Sequence, residues 1–404
     1  MLNSRSRVPR GLWFFLVSTA AVGLVAVSCG HDDGPTGPSP QVVSQGKQIF
    51  RFETFGDETF WTDTLRMHEV VQTVPPTTAL AVGLKVDADT LPAAVLQAIR
   101  AGQVDLTDPA TTVTLLKLGA VVGLRATVDA NNKITRLGIT CALCHSTVDN
   151  RIAKGIGSRL DGYPNLELNP GAIIALSPAL TAAQKAVYNS WGPGRFDPRI
   201  NMDGLNGPVL IPPAYGLRGV NSITATGDGS NIAYWNRYVG VTQMHGHGSF
   251  VESRLGINIQ NPPDLIGALL PALQEYQLSL NAPRPPAGSF DAVAATRGQA
   301  VFSGAGNCST CHTGPLFTDA NTRLHAPSDV VSEPEPNGAP SLAARSATKM
   351  YRTTPLRALQ LHPPYFHNGI ALTLEAVVDL YNTRKGLNLT AQQKADLVQY
   401  LKSL

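Results

Sequence analysis

The chain has 404 residues, of which 43% are hydrophobic and 15% are charged, and its formal net charge at pH 7 is +3. This length is sufficient for two domains with a substantial core, and the composition is that of a globular protein. Because no basic stripe is interleaved with aromatic residues, the sequence argues against nucleic acid as a partner.

Residues 1–28 have the pattern of an export signal. Three arginines precede an apolar segment, Gly11 to Val27, that is too short for a comfortable membrane span. The sequence that ends at Cys29 resembles a lipoprotein cleavage box, although Ala26 stands where Leu is usual. Cleavage elsewhere, with Cys29 incidental, is the alternative. Because Gly30 rather than Asp follows Cys29, the resemblance to Gram-negative lipoproteins implies a periplasmic protein that is lipid-anchored to the outer membrane.

A linker is predicted for residues 29–44, because its Pro, Gly and Ser residues cannot form a core. From Leu91 to Val122 apolar residues recur at helical spacing, and Asp108-Pro109 has the pattern of a helix start with Asp as the cap. Gly and Pro are frequent from Gly157 to Gly229. So much irregular chain indicates loops that wrap a ligand, such as a large flat cofactor.

The second half of the chain contains a domain boundary. An amphipathic helix is predicted from Pro262 to Leu280, and the Pro-rich segment 281–288 that follows it is the clearest linker. Near the C-terminus, Thr390 to Gln393 form a capping-box pattern in front of a helix with a buried apolar face. These signals predict two domains, residues 45–282 and residues 283–404.

One cysteine motif, Cys-x-x-Cys-His, occurs twice: as Cys141, Cys144 and His145, and as Cys308, Cys311 and His312. Two thiols at this spacing can reach the two vinyl groups on one porphyrin edge, and the adjacent imidazole can bind the iron. Zinc would require two Cys-x-x-Cys pairs in one site, and a redox dithiol would require a βαβ pattern, which the sequence lacks. The sequence therefore predicts two covalently bound haems c, one in each domain.

Three more motifs occupy the C-terminal third: Lys349 to Arg357, Pro363 to Gly369, and Thr373 to Val378. Together with the haem motifs they strongly resemble the bacterial di-haem cytochrome c peroxidases, including the related tryptophylquinone-forming and rubber-oxygenase-like enzymes. The resemblance covers most of residues 138–404 and leaves residues 45–135 without a counterpart. It implies a mainly α fold with two cytochrome c-like domains, the first enlarged by long Gly/Pro-rich loops.

The resemblance implies an oxidoreductase that reduces hydrogen peroxide. In this family the N-terminal haem is peroxidatic, and the C-terminal haem relays electrons from a small donor protein such as a cytochrome c or a cupredoxin. A calcium ion commonly lies between the domains, but no ligand set for it can be identified in this sequence. Two alternatives stay open: an electron-transfer lipoprotein without substrate chemistry, and a di-haem enzyme that oxidatively modifies a protein or polymer.

Family position assigns two catalytic candidates, Gln243 in the distal pocket and Glu252 as the acid/base that moves peroxide protons. For Glu252 the alternative is a surface pair with Arg254. His245 and His247 are either ligands of the first haem at rest or loop residues bonded to backbone. A first haem that is permanently five-coordinate is the third alternative.

Candidates around the second haem follow from the same resemblance. Tyr381 stands where the peroxidases generally have a Met ligand and where the quinone-forming enzymes have a Tyr. It is therefore the candidate sixth ligand, with Met350 as its competitor and core packing as the alternative. Arg352 and Arg357 are predicted to bind haem propionates, because a guanidinium matches a carboxylate in a fork. Trp235 is either an electron bridge between the haems or a core residue.

Haem stoichiometry is the first testable prediction. Acid–acetone extraction should leave the colour with the mature protein, and a pyridine haemochrome assay should give two haems per chain. Cys144→Ser and Cys311→Ser should each impair maturation, because each removes one thioether bond. Extraction of the colour, or one haem per chain, would contradict the assignment of both motifs.

Overall fold

The computed structural model describes residues 37–404. The predicted signal peptide and Cys29 lie outside these residues. α-Helices are the main regular structure of the described part, and its strands occur as two-stranded pairs. The prediction of a mainly α protein is therefore confirmed. No helix among residues 37–404 is both long enough and apolar enough to span a bilayer.

The helices are short and are separated by long irregular segments. In chain order they are α1 Pro40–Phe52, α2 Met67–Val71, α3 Pro76–Ala81, α4 Ala93–Arg100, α5 Pro109–Lys117, α6 Ala142–His145, α7 Pro170–Ala175, α8 Ala182–Asn189, α9 Ile232–Tyr238, α10 Leu270–Ser279, α11 Ala292–Ser303, α12 Leu374–Lys385 and α13 Ala391–Lys402. Two π-helical turns, Thr59–Thr64 and Val239–Gln243, complete the elements that matter for the site.

The strands are β1 Val86–Asp87, β2 Leu124–Val128, β3 Ile134–Ile139, β4 Ser146–Val148, β5 Ile156–Gly157, β6 Arg159–Asp161, β7 Arg195–Phe196, β8 Val209–Leu210, β9 Gly248–Glu252 and β10 Ile257–Asn261. β1 pairs with β5 in parallel. The pairs β2–β3, β4–β6, β7–β8 and β9–β10 are antiparallel. Such small pairs brace loops rather than form a layer of their own.

Local sequence signals decide where several helices begin. The Asp108 side chain accepts a hydrogen bond from the Ala110 N–H, and Pro109 fills the first helical position of α5, as predicted. At the start of α13, Thr390 and Gln393 exchange hydrogen bonds through side chain and backbone, which confirms the capping box.

The helix predicted from Pro262 to Leu280 is shorter in the structure, where α10 begins only at Leu270. The residues before it form a turn in which the Asp264 side chain accepts hydrogen bonds from the Ile266 and Gly267 N–H groups. A short Asp side chain competes for backbone donors in this way and favours a turn over a helix. The apolar periodicity alone did not reveal this competition.

Three main hydrophobic clusters form the core. The first joins α1, α9 and α10, and the rings of Phe50 and Tyr276 meet edge to face there with centroids 5.5 Å apart. The second surrounds α5 and the β2–β3 hairpin. The third joins α11, α12 and α13 and draws only on residues from 301 onward. The domain boundaries themselves stay a prediction.

A buried ion pair connects the two halves of the chain. The Arg345 side chain is 2% exposed and donates two hydrogen bonds to the Asp197 carboxylate, which is fully buried, at 2.9 and 3.0 Å. It also binds the Asp203 carboxylate at 2.7 Å and the Gly207 carbonyl oxygen at 3.1 Å. A buried guanidinium needs this many charged and hydrogen-bond partners, because the free-energy cost of removing it from water is otherwise not offset.

Removal of this guanidinium should destabilise the protein strongly. Arg345→Met leaves the Asp197 carboxylate buried without its partner, and we expect the free energy of unfolding to fall by about 3–5 kcal/mol. The matched control is Arg136→Met, since Arg136 pairs with Asp63 through side chains that are 42% and 55% exposed. That change should cost about 1 kcal/mol or less. Equal losses in denaturant unfolding of the two variants would contradict the structural role of Arg345.

Candidate haem-binding cavity

Both Cys-x-x-Cys-His motifs line one cavity of about 950 Å³. Its wall is mostly apolar and comes from nearly every part of the described chain, from Phe60 to Leu401. Cofactor sites are typically concave and apolar with a few polar groups, and this volume lies at the upper end of their range. The fold therefore brings the two motifs to a shared space, although they are far apart in the sequence.

The first motif lies on α6, which directly follows β3. Gly123 permits this placement, because its φ of 79° is left-handed and a Cβ there would approach the Leu143 Cα to 2.2 Å. The Nδ1 atom of His145 lies 3.1 Å from the Pro212 carbonyl oxygen. A carbonyl only accepts, so Nδ1 carries the proton and Nε2 is left free to bind a metal. Burial lowers the pKa of His145 to about 4, which keeps the imidazole neutral.

The second motif repeats this arrangement. Cys308–Thr310 form a short helical turn, and Nδ1 of His312 lies 3.0 Å from the Phe317 carbonyl oxygen. The same reasoning gives His312 an unprotonated Nε2, and burial again lowers its pKa. Both histidines are thus oriented through Nδ1 by a backbone carbonyl, which is how protein metal ligands are commonly held.

The four motif cysteines are not paired in disulfides. Burial raises the pKa of Cys141 and Cys144 to about 12 and that of Cys308 to about 11. Reactive or metal-binding cysteines instead have lowered pKa values in electropositive surroundings. Cys141, Cys144 and Cys308 are therefore in the thiol form at neutral pH.

Arg352 provides a test of whether the cavity fits a haem. Its Nε and Nη1 atoms are buried and have no hydrogen-bond partner among residues 37–404. Burial lowers its pKa to about 10, and the nearby positive charge of Arg357 acts in the same direction. Both arginines line the cavity. An orphaned guanidinium is costly unless an anion meets it, and a haem propionate is such an anion.

Tyr381 lies on α12 and faces the cavity beside the second motif. Burial raises its pKa, and the negative charges that Cys308 and Cys311 would carry as thiolates act in the same direction, which places the phenol near these sulfurs. Met350 does not line the cavity. Of the two candidate ligands, only Tyr381 therefore lines the cavity, and its ligation stays a prediction.

Only one of the two predicted catalytic residues lies at the cavity. Gln243 lines it, and its Nε2 atom donates to the Pro198 carbonyl oxygen at 3.3 Å. Glu252 does not line it. At the end of β9 its carboxylate accepts hydrogen bonds from the Arg254 guanidinium at 2.8 and 2.6 Å and from the Tyr234 hydroxyl at 3.2 Å. The Arg254 hydrogen bonds lower the pKa of Glu252 to about 2. This placement does not support Glu252 as the acid/base and favours the pair with Arg254.

The two candidate histidines separate in the same way. His245 lines the cavity, whereas His247 does not, and Nδ1 of His247 lies 3.2 Å from the Pro262 carbonyl oxygen. Trp235 also lines the cavity, and its ring stacks on Tyr238 with centroids 4.8 Å apart. His247 is therefore a loop residue whose ring is bonded to the backbone. The role of His245 at the first predicted haem stays a prediction.

The family resemblance assigned no role to residues 45–135, the N-terminal segment, yet Phe60 and Trp61 in this segment line the cavity. Phe60 stacks on His245, with ring centroids 3.6 Å apart and an interplanar angle of 17°. Aromatic residues are frequent between positions 49 and 61. Nothing in their spacing indicates that a distant histidine meets them.

Comparison with curated proteins identifies relatives among named peroxidases. The chain is 31% identical over 140 residues to the cytochrome-c peroxidase IdrP2 of Denitromonas iodatirespirans, which is 26% of this chain and 38% of that protein. It is 30% identical over 173 residues to IdrP2 of Pseudomonas sp. (strain SCT), covering 33% and 47%. It is 31% identical over 160 residues to the methylamine utilization protein MauG of Methylorubrum extorquens, covering 34% and 43%.

Part of the chain is similar in sequence to the cytochrome-c peroxidases. The family resemblance seen in its motifs is thereby confirmed, and the matches span less than half the length of these relatives. No protein-family profile matches the chain. Among solved structures, hydrazine synthase of Kuenenia stuttgartiensis and a MauG-like protein associated with microbial copper homeostasis are similar, each with a TM-score of 0.34. Their identities are 22% and 21%, over 49% and 48% of this chain and 73% of each solved chain.

Replacement of Tyr381 tests its ligation in this peroxidase relative. Tyr381→Met should raise the potential of the second haem and introduce a thioether-to-iron band in the near infrared, because a thioether stabilises the ferrous state relative to a phenolate. Tyr381→Phe should alter the ferric spectrum, whereas the control Met350→Leu should not. An unchanged spectrum in Tyr381→Phe would instead leave Tyr381 as packing.

Proposed function

We propose that this protein is a di-haem c-type oxidoreductase that reduces hydrogen peroxide to water with electrons from a small redox protein. Each peroxide takes two electrons and two protons and yields two waters. The observation that carries the proposal is that both haem motifs line one cavity. That arrangement suits a protein in which electrons enter at one haem and reduce the substrate at the other. The named relatives are cytochrome-c peroxidases, which agrees with this activity.

When bound, the first haem supplies an iron that binds peroxide, and the second supplies a carrier for electrons. The chain itself positions these groups. The Pro212 carbonyl oxygen fixes the tautomer of His145, and the Phe317 carbonyl oxygen fixes that of His312. Arg352 and Arg357 offer positive charge to propionates inside an apolar wall. Gln243 presents an amide to the cavity, where it orients peroxide.

The donor is proposed to be a cytochrome c or a cupredoxin, and the site of action is proposed to be the periplasm, with lipid attachment at Cys29. Trp235 lines the shared cavity and remains a candidate for the electron path between the haems. The calcium ion implied by the family resemblance is retained as a prediction. Among the described residues, the three-residue clusters of possible ligands each contain a His, and calcium prefers oxygen donors throughout.

A second candidate function is the oxidative modification of a protein or polymer. The position of Tyr381 favours it, because a phenolate ligand lowers a haem potential and stabilises ferric or higher states. The similarity to MauG points the same way. The third candidate, an electron-transfer lipoprotein without substrate chemistry, would require that both haems be coordinatively saturated.

Peroxide turnover tests the proposal directly. The ferric holoprotein should show one high-spin and one low-spin haem in electron paramagnetic resonance and should consume peroxide with a reduced cytochrome c or cupredoxin. Gln243→Ala should lower the rate on the order of ten- to a hundredfold, because a misplaced substrate reacts slowly. Glu275→Gln is the control, since Glu275 pairs with Arg218 on the surface. Two low-spin haems and no turnover with any donor would favour the electron-transfer alternative.

A further inference from the structure

One histidine in the cavity differs from the others in its hydrogen bonds. Six histidines line the cavity, and five of them hydrogen-bond through the ring to another described residue. The exception among residues 37–404 is His245, whose ring nitrogens have no hydrogen-bond partner in the chain. His245 is half-buried and lines the cavity. An imidazole that is presented to a cofactor cavity without a hydrogen-bond partner is available to a substrate.

The carboxylates that line the same cavity are already engaged or exposed. They are Asp197, Asp228 and Asp329. The Asp197 carboxylate is bound by Arg345. The Asp228 carboxylate accepts hydrogen bonds from the Thr226 hydroxyl at 2.8 Å and the Thr348 N–H at 3.0 Å. Asp329 is exposed in a short helical turn. No glutamate lines the cavity within residues 37–404.

The His245 ring is held in place by the N-terminal segment. Phe60 stacks on it with centroids 3.6 Å apart. The neighbouring residue Trp61 donates its indole N–H to the Met244 carbonyl oxygen at 3.1 Å, and the His247 N–H donates to the Phe55 carbonyl oxygen at 2.8 Å. The backbone is therefore tied on both sides of His245.

The backbone at His245 is itself unusual. Its φ of 62° is left-handed, a conformation that costs free energy for most residues other than glycine. The Trp61 and Phe55 hydrogen bonds hold the backbone on either side of this residue. Burial also lowers the pKa of His245 to about 4, so its imidazole is uncharged near neutral pH.

We propose that His245 is the catalytic residue that moves protons at the first haem, and that Phe60 and Trp61 are its positioning residues. This inference rests on the proposed peroxide chemistry. One proton passes from the first peroxide oxygen to His245 and then to the second oxygen, which leaves as water when the O–O bond breaks. The donor protein supplies two electrons, and two protons from solvent convert the remaining oxygen to the second water. The balance is one peroxide, two electrons and two protons to two waters.

Cyanide binding tests His245 without peroxide turnover. Hydrogen cyanide must lose its proton when it binds ferric haem as the anion, so a base beside the iron accelerates binding. In stopped-flow measurements on the ferric holoprotein, His245→Asn should slow cyanide association about a hundredfold, the lower end of the effect of a general base. Asn is chosen because it tolerates a left-handed backbone. His245→Gln, which fills more of the space but accepts no proton, should show the same loss.

Substitutions at Phe60 test its role in positioning the His245 ring. Phe60→Leu should slow cyanide association about tenfold, and Phe60→Tyr, which keeps the aromatic stack, should restore the wild-type rate. The matched control is His247→Asn, since His247 is two positions away and its ring lies outside the cavity. Peroxide turnover should follow the same order, with the loss in kcat rather than in KM.

Three outcomes would overturn the inference. Wild-type cyanide rates in both His245 variants would remove its proton role. A ferric first haem that is low-spin in the wild type and high-spin in His245→Asn would make His245 an iron ligand instead. Slow cyanide binding in Glu252→Gln but not in His245→Asn would assign the role to Glu252. If cyanide binding depends on His245 while no donor supports peroxide turnover, the proposed peroxidase function fails and the role of His245 stands.

Discussion

The buried ion pair between Arg345 and Asp197 is the constraint on which the shared cavity depends. Asp197 belongs to the segment that follows β7, and this segment continues through β8 to Pro212, whose carbonyl oxygen orients His145. The Leu210 N–H donates to the His367 carbonyl oxygen at 2.8 Å, so the same segment is also bound to the C-terminal half. The guanidinium thus fixes the segment that orients His145 relative to the C-terminal half of the chain.

A hydrophobic contact at this place would be at least as stable, because two buried charges must lose their water. The ion pair with its additional bonds to Asp203 and Gly207 is directional, whereas apolar packing is not. We attribute the presence of this ion pair to the positioning it provides, not to a gain in net stability. The two walls of the cavity must be aligned with each other before a rigid cofactor could be held by two thioether bonds and one imidazole.

The cavity itself explains the irregular middle of the chain. Protein interiors are close-packed, and a space of about 950 Å³ is far larger than the voids found in a core. Its wall includes the buried hydroxyl of Tyr215 and the guanidinium of Arg352, which have no partner among the described residues. The proposed haems would complete such a core with apolar surface and carboxylates. The loops around the cavity would then pack against the cofactors instead of on one another.

The N-terminal segment shows how a region without a counterpart in the resembling family can belong to the site. The second of the three main hydrophobic clusters, around α5 and the β2–β3 hairpin, lies mostly in this segment and supports it. From that support the π-helical turn Thr59–Thr64 brings Phe60 against His245 and the Trp61 indole against the Met244 carbonyl oxygen. Its contribution is therefore placement of the loop that carries His245, together with part of the cavity wall.

The sequence by itself determined what depends on neighbouring residues. Each Cys-x-x-Cys-His motif carries its attachment chemistry within five positions, and the caps at Asp108 and Thr390 act on the next turn of helix.

Only the tertiary structure decided which side chains meet in the cavity. His245 and His247 are two positions apart in a similar local sequence, yet one faces the cavity and the other does not, because a left-handed residue and distant hydrogen bonds set the direction of the loop. Glu252 was placed at the site by family position, but its carboxylate is held by Arg254 and Tyr234. The direction of each side chain depends on contacts between residues far apart in the chain. Periodicity and spacing in the sequence do not indicate which distant residues make these contacts.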